Sequence, residues 1–156
     1  DIVEATPEYS KVTMPITENH KNGMGMAHGG AIFALADVAF GSAANAGKDC
    51  GVVSLNTTIE YLRPGRVSPL TAEAFVVRRG NHIMNYDVKI YDGSGDLIAK
   101  CVASGFQTDV PLPIRALRQM LYGPLPCAGA FLRLCLKKEV PLAEPTARGF
   151  HRKRLG

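Results

Sequence analysis

Residues 22–47 read Asn22-Gly-Met-Gly-Met-Ala-His28-Gly-Gly30, then Ala31-Ile-Phe-Ala-Leu-Ala-Asp37-Val-Ala-Phe-Gly-Ser-Ala-Ala-Asn-Ala46-Gly47. The first part is a glycine-rich loop. The second, from about Gly30 to Ala46, is alanine-rich and predicts a helix, with Gly47 where a C-terminal cap belongs. Only Asp37, Ser42 and Asn45 are polar between Ala31 and Ala46, and a helix apolar nearly all round is expected to be buried. Asp37 is then a carboxylate inside an apolar element, which is costly unless it is paired or takes a proton. The helix holds no Lys or Arg to pair with it. Charged groups so placed are candidates for chemistry. At the other end, Gly29 and Gly30 leave backbone N–H groups open where the helix dipole favours negative charge. An oxyanion could be held there.

Outward from the helix the chain alternates. Ile2–Glu4 and Tyr9–Ile16 read as the arms of a hairpin turning at residues 5–8, with Val12, Met14 and Ile16 on one face. Val52–Leu62 predicts a strand with Val53, Leu55, Thr57, Ile59 and Tyr61 on one face and Ser54, Asn56, Thr58 and Glu60 on the other. Arg63-Pro64-Gly65 ends it. Leu70–Arg79, Ile83–Tyr91 and Leu97–Thr108 follow, separated by Gly80-Asn81 and by Asp92-Gly-Ser-Gly-Asp96. The latter resembles half a calcium loop, but its length suits a hairpin turn. One helix followed by four antiparallel strands is an α+β layer.

The length of 156 residues and 46% apolar content suit one ordinary domain. No apolar run approaches the roughly 20 residues of a membrane span, and no signal-peptide pattern opens the chain. It begins at Asp1, without Met, and so reads as a fragment or a processed chain. Cys50, Cys101, Cys127 and Cys135 have no metal-ligand or redox spacing. Reduced thiols in a cytoplasmic protein are the expectation. The net charge of +4 hides an asymmetry: residues 1–109 carry 9 Lys/Arg and 12 Asp/Glu, residues 110–156 carry 9 and 2. Six of the ten prolines also lie after residue 110. A boundary is therefore expected near Asp109, between a domain over 1–109 and a basic, Pro-containing tail over 110–156. Within the tail, 114–122 could form an amphipathic helix and 131–138 a strand, with 147–156 expected to be disordered. No zinc pattern, P-loop, dinucleotide fingerprint or Gly-x-Ser-x-Gly elbow occurs.

Asn22, His28-Gly29-Gly30, Leu35-Ala36-Asp37 and Tyr61-Leu62-Arg63-Pro64-Gly65, in this order, resemble the PaaI-like acyl-CoA thioesterases of the hotdog fold. The resemblance covers about residues 2–108, and a curled sheet around one long helix fits the element order. It implies hydrolysis of an acyl-CoA thioester, aryl-acetyl or medium-chain, with no metal and no cofactor, coenzyme A being part of the substrate. Asp37 is then a general base on water or a nucleophile, and the amide of Gly29 or Gly30 is the oxyanion contact. His28 orients the thioester, Asn22 helps place thioester or water, and Ser54 orients water. Arg63 and Arg66 contact coenzyme A phosphates at a protomer edge. A homodimer, or a homotetramer as a dimer of dimers, is implied, with Asp37 from one protomer and the His28–Gly30 loop from the other. The tail has no counterpart in the family, and the family's N-terminal helix is absent. The rival expectation is an acyl-CoA-binding module that senses its ligand without hydrolysis. Asp37 and the lack of a helix-turn-helix pattern speak against it. Neither a membrane nor nucleic acid is an expected partner.

Overall fold

The computed structural model describes residues 1–112. The helix, strand and disordered end expected at 114–122, 131–138 and 147–156 lie outside the described residues. Strands β1 (Ile2–Ala5) and β2 (Tyr9–Met14) form the expected hairpin. Helix α1 (Gly29–Asn45) follows, then β3 (Cys50–Tyr61), β4 (Leu70–Arg79), β5 (Ile83–Tyr91) and β6 (Leu97–Pro111). The strands make one antiparallel sheet in the order β1-β2-β4-β5-β6-β3, which leaves β1 and β3 at its edges. This is the hotdog arrangement that the family resemblance implied and that the element order fits.

Local chemistry explains the helix ends. His28 is extended and caps the first turn with its ring. Gly47 adopts φ +67° just beyond the C-terminal cap, a left-handed conformation that glycine enters without strain. Asn45 ties this end to β3, because its side-chain carbonyl accepts the Val52 N–H at 2.8 Å. Alanines bring the helix close to the sheet. Ala36, Ala39, Ala43 and Ala44 of α1 are buried with Ala72, Ala74, Ala99 and Ala103 of the sheet, among larger residues that include Leu35, Phe40, Leu70, Tyr86 and Ile98. Gly105 completes the close approach: a Cβ there would lie 2.8 Å from both Phe40 Cζ and Val52 Cγ1. Ser10, fully buried on β2, donates to the Ala39 carbonyl at 2.6 Å and so pins the helix midpoint to the sheet.

Three expectations are corrected. First, α1 is not buried all round in this chain. Gly30, Phe33, Ala34, Asp37 and Val38 form an exposed stripe opposite the sheet, so Asp37 is a solvent-facing carboxylate on an apolar face. Second, β3 does not alternate without interruption. Its pairing with β6 slips between Ser54 and Asn56, a bulge at Leu55. Val52 and Ile59 both pack on the core, while Val53 is exposed. The period of two from Val52 puts Ser54 on the helix side as well, where its hydroxyl lies 3.3 Å from that of Thr57. Third, β6 continues past Thr108 to Pro111 and pairs with Cys50, and the Leu112 N–H donates to the Asp49 carbonyl at 2.9 Å. The sheet thus crosses the expected limit at Asp109.

Candidate active site

The helix N-terminus is gripped from three sides. The loop before it is closed by Asn22, whose backbone N–H donates to the Met26 carbonyl at 2.8 Å. The Asn22 side-chain oxygen accepts from the backbone N–H groups of Met24 and Met26 at 2.9 and 3.3 Å. This asparagine therefore builds the turn, and its amide nitrogen has no acceptor among the described residues. The Ala27 N–H donates to the Gly65 carbonyl at 2.9 Å, which brings the Arg63-Pro64-Gly65 loop against the entry to the helix. On the third side Tyr61, the last residue of β3, donates its hydroxyl to the Gly29 carbonyl at 2.9 Å.

His28 Nδ1 accepts the Gly30 N–H at 2.9 Å, and the His28 carbonyl accepts from Ala31 and Ile32. An acceptor Nδ1 leaves the ring proton of the neutral imidazole on Nε2. Of the first helical amides, that of Gly29 has no acceptor among the described residues, whereas that of Gly30 is committed to the cap. Of the two glycines, either of which was expected to supply the oxyanion contact, Gly29 holds the open donor. Both positions are also tight. A Cβ at Gly29 would meet the Tyr61 ring at 3.2 Å, and one at Gly30 the His28 ring at 3.1 Å.

Asn22, His28, Gly29, Gly30, Arg63 and Arg66 gather at this end. Asp37 does not. It lies eight residues along α1 from Gly29, about 12 Å at the helical rise. Ser54 is not at the N-terminal end either. β3 runs back along the helix, with Tyr61 at Gly29 and Val52 at Asn45, so Ser54 sits toward the helix C-terminus. Beneath α1, burial pushes the Cys101 thiol up to about 11, and the charge of Asp37 adds to the shift. The carboxylate is therefore within electrostatic reach of β6. Arg63 forms an exposed ion pair with Asp96 at 3.5 Å. The Arg66 backbone N–H is held by Asp92, while its side chain is exposed.

Sequence reasoning missed the Tyr61 hydroxyl and the role of Asp92. Tyr61 was visible only as part of a motif, and its bond spans 32 positions. Asp92 is buried and accepts from the N–H groups of Arg66, Val67 and Ser94 and from the Ser94 hydroxyl, so the β5–β6 turn clasps the loop that carries both arginines. Burial pushes its carboxyl up, but these four bonds outweigh burial and hold it below the ordinary carboxylate value. Among the described residues no three metal-capable side chains cluster. None of the described helices is long and apolar enough to cross a membrane.

Residues 24–99 match the thioesterase superfamily model. The Escherichia coli acyl-coenzyme A thioesterase PaaI is 36% identical over 100 residues, covering 64% of this chain and 71% of that protein. The solved structure of the E. coli PaaI protein superposes with a TM-score of 0.65 at 32% identity, over 71% of this chain and 80% of that one. A Streptococcus mutans protein bound to acetyl CoA superposes with a TM-score of 0.66 at 26% identity, over 72% of this chain and 90% of that one. With a hotdog sheet, a capped glycine pair at the helix start and these relatives, the chain belongs to the PaaI-like thioesterases and is a thioester hydrolase of that family.

Proposed function

We propose that the chain hydrolyses acyl-CoA thioesters, aryl-acetyl or medium-chain, at a site shared between two copies. The observation that carries this reading is the position of Asp37, exposed on an apolar stripe and about 12 Å along the helix from the open Gly29 amide. A thioester needs an oxyanion donor about 3 Å from its oxygen and a base within reach of the attacking water. One straight helix strains that geometry. A second copy, its helix antiparallel along the stripe of Phe33, Ala34, Asp37 and Val38, brings Asp37 of one chain toward Gly29 of the other. Covering that stripe also removes exposed apolar surface, and two-fold contacts of this kind are the commonest assembly.

In this reading Asp37 takes a proton from water as the water oxygen adds to the thioester carbon. Direct attack by the carboxylate is the alternative step. The carbonyl oxygen gains charge and is held by the Gly29 N–H and the helix dipole. His28 Nε2–H and the Asn22 amide are donors that orient the acyl group, and Ser54 with Thr57 orients water. The C–S bond then breaks, and coenzyme A leaves as a thiolate that is later protonated. Arg63 and Arg66 meet its phosphates, since an exposed pair such as Arg63–Asp96 contributes little and exchanges readily. The test is thiol release from a panel of aryl-acetyl and medium-chain acyl-CoA substrates. Release is expected from at least one class. Acyl-CoA binding without release would replace catalysis with the ligand-sensing reading.

A further inference from the structure

We infer that Tyr61 is a positioning residue of this site, acting through the Gly29–Gly30 peptide on His28; the inference rests on the thioesterase reading above. The Tyr61 hydroxyl donates to the Gly29 carbonyl at 2.9 Å. The N–H of that same peptide, on Gly30, donates to His28 Nδ1 at 2.9 Å. A peptide's carbonyl and N–H form one planar, resonance-coupled unit. A donor at its oxygen therefore polarises its N–H, and hydrogen bonds in such a chain strengthen one another. Bonds at both ends also fix the direction in which the peptide plane faces. The relay runs Tyr61 Oη–H to Gly29 C=O, then Gly30 N–H to His28 Nδ1. Its outcome is the His28 tautomer with the proton on Nε2, the one donor that the ring can offer a substrate carbonyl.

Just beyond Tyr61, the N–H groups of Leu62 and Arg63 both donate to the Ile98 carbonyl, at 2.8 and 3.1 Å, so the backbone that carries this half-exposed ring is tied to the sheet. The ring lies so close to Gly29 that a Cβ there would meet Tyr61 Cζ and Oη at 3.2 Å. Phenylalanine would keep this packing and lose only the donor.

The experiment compares the full chain with Tyr61→Phe, alone and in a His28→Ala background, using 15N-labelled histidine. His28→Ala assigns the His28 resonances among the four histidines. Tyr61→Phe should lower kcat about 3- to 10-fold with KM unchanged, the effect of one neutral hydrogen bond. It should also move His28 Nδ1 away from its acceptor-type shift toward a tautomer average. Without His28, the same substitution should change kcat by less than about 2-fold. Unchanged His28 shifts, or an equal loss in both backgrounds, would overturn the relay and leave Tyr61 as packing alone. If the wild type releases thiol from no acyl-CoA, the thioesterase reading has failed, and the 15N comparison still decides the relay.

Discussion

Asp37 occupies the one position on α1 where a charge meets both solvent and an apolar face. Asparagine keeps the size of the side chain and drops only its charge, so chemistry and folding can be separated there whether or not a second copy covers the stripe. Asp37→Asn should lower kcat by about 100-fold or more, as loss of a general base does. The variant should keep a cooperative melt, since the change is isosteric and removes a charge whose burial against a second copy is costly. A thiol-release assay beside a urea melt checks both, and wild-type turnover in the pure variant would remove Asp37 from the mechanism. At this scale the candidate site was partly legible. Gly29, Gly30 and Asp37 stand out by residue type and placement, whereas the role expected of His28 came from the family resemblance. The environment of Asp37 was misread, because its burial depends on what covers the helix and not on the helix itself. Tyr61 was illegible because a hydroxyl across 32 positions leaves no local pattern.

Turns set the elements, and the most consequential is the one between β5 and β6. Asp92 closes it on Ser94 and reaches across to Arg66 and Val67, while the Gly93 N–H donates to the Val67 carbonyl. The loop so held carries Gly65, whose carbonyl receives Ala27 one residue before His28. Since the folded value of Asp92 is depressed, its contribution is present above the unfolded value of about 3.9 and is lost as pH falls through the lower folded value. Asp92→Asn keeps the shape but gives up one acceptor oxygen, and should cost about 1–3 kcal/mol at neutral pH. The variant's stability should fall less steeply than wild type between pH 5 and pH 3. Urea melts across that range check this, and parallel acid limbs would remove Asp92 as the titrating clasp. The bounds of β4 and β5 follow from turn residues beside them and were readable. The bulge at Leu55 and the extension of β6 were not, because each arises from pairing between strands far apart in the chain.

At the scale of the whole molecule, one helix followed by antiparallel strands indicated an α+β layer, and the family resemblance supplied the sheet curled around the helix. Two questions remain that a single sheet does not answer: where the domain stops and what covers the helix. Pro111 still pairs with Cys50 of β3, and the Leu112 N–H donates to the Asp49 carbonyl. Truncation after Leu112 should therefore keep the cooperative melt, whereas truncation after Asp109 should lower the melting temperature by freeing the start of β3. Equal melts would show that these last residues contribute nothing. The covered helix is tested by complementation. Asp37→Ala removes the carboxylate. Gly29→Pro removes the open amide at a first helical position, which the extended His28 before it suits, and its Cβ needs the Tyr61 ring, 3.2 Å away, to shift by a few tenths of an ångström. Each variant alone should be inactive. If Asp37 of one copy works with Gly29 of the other, a mixed dimer holds one site with both defects and one with neither. Co-refolded equal mixtures contain about half mixed dimers by random pairing, so they should regain about a quarter of wild-type turnover. Mixed dimers isolated by two affinity tags should show about half. Inactive mixed dimers, or a fully active monomer in sedimentation, would place both groups on one chain and end the shared-site reading.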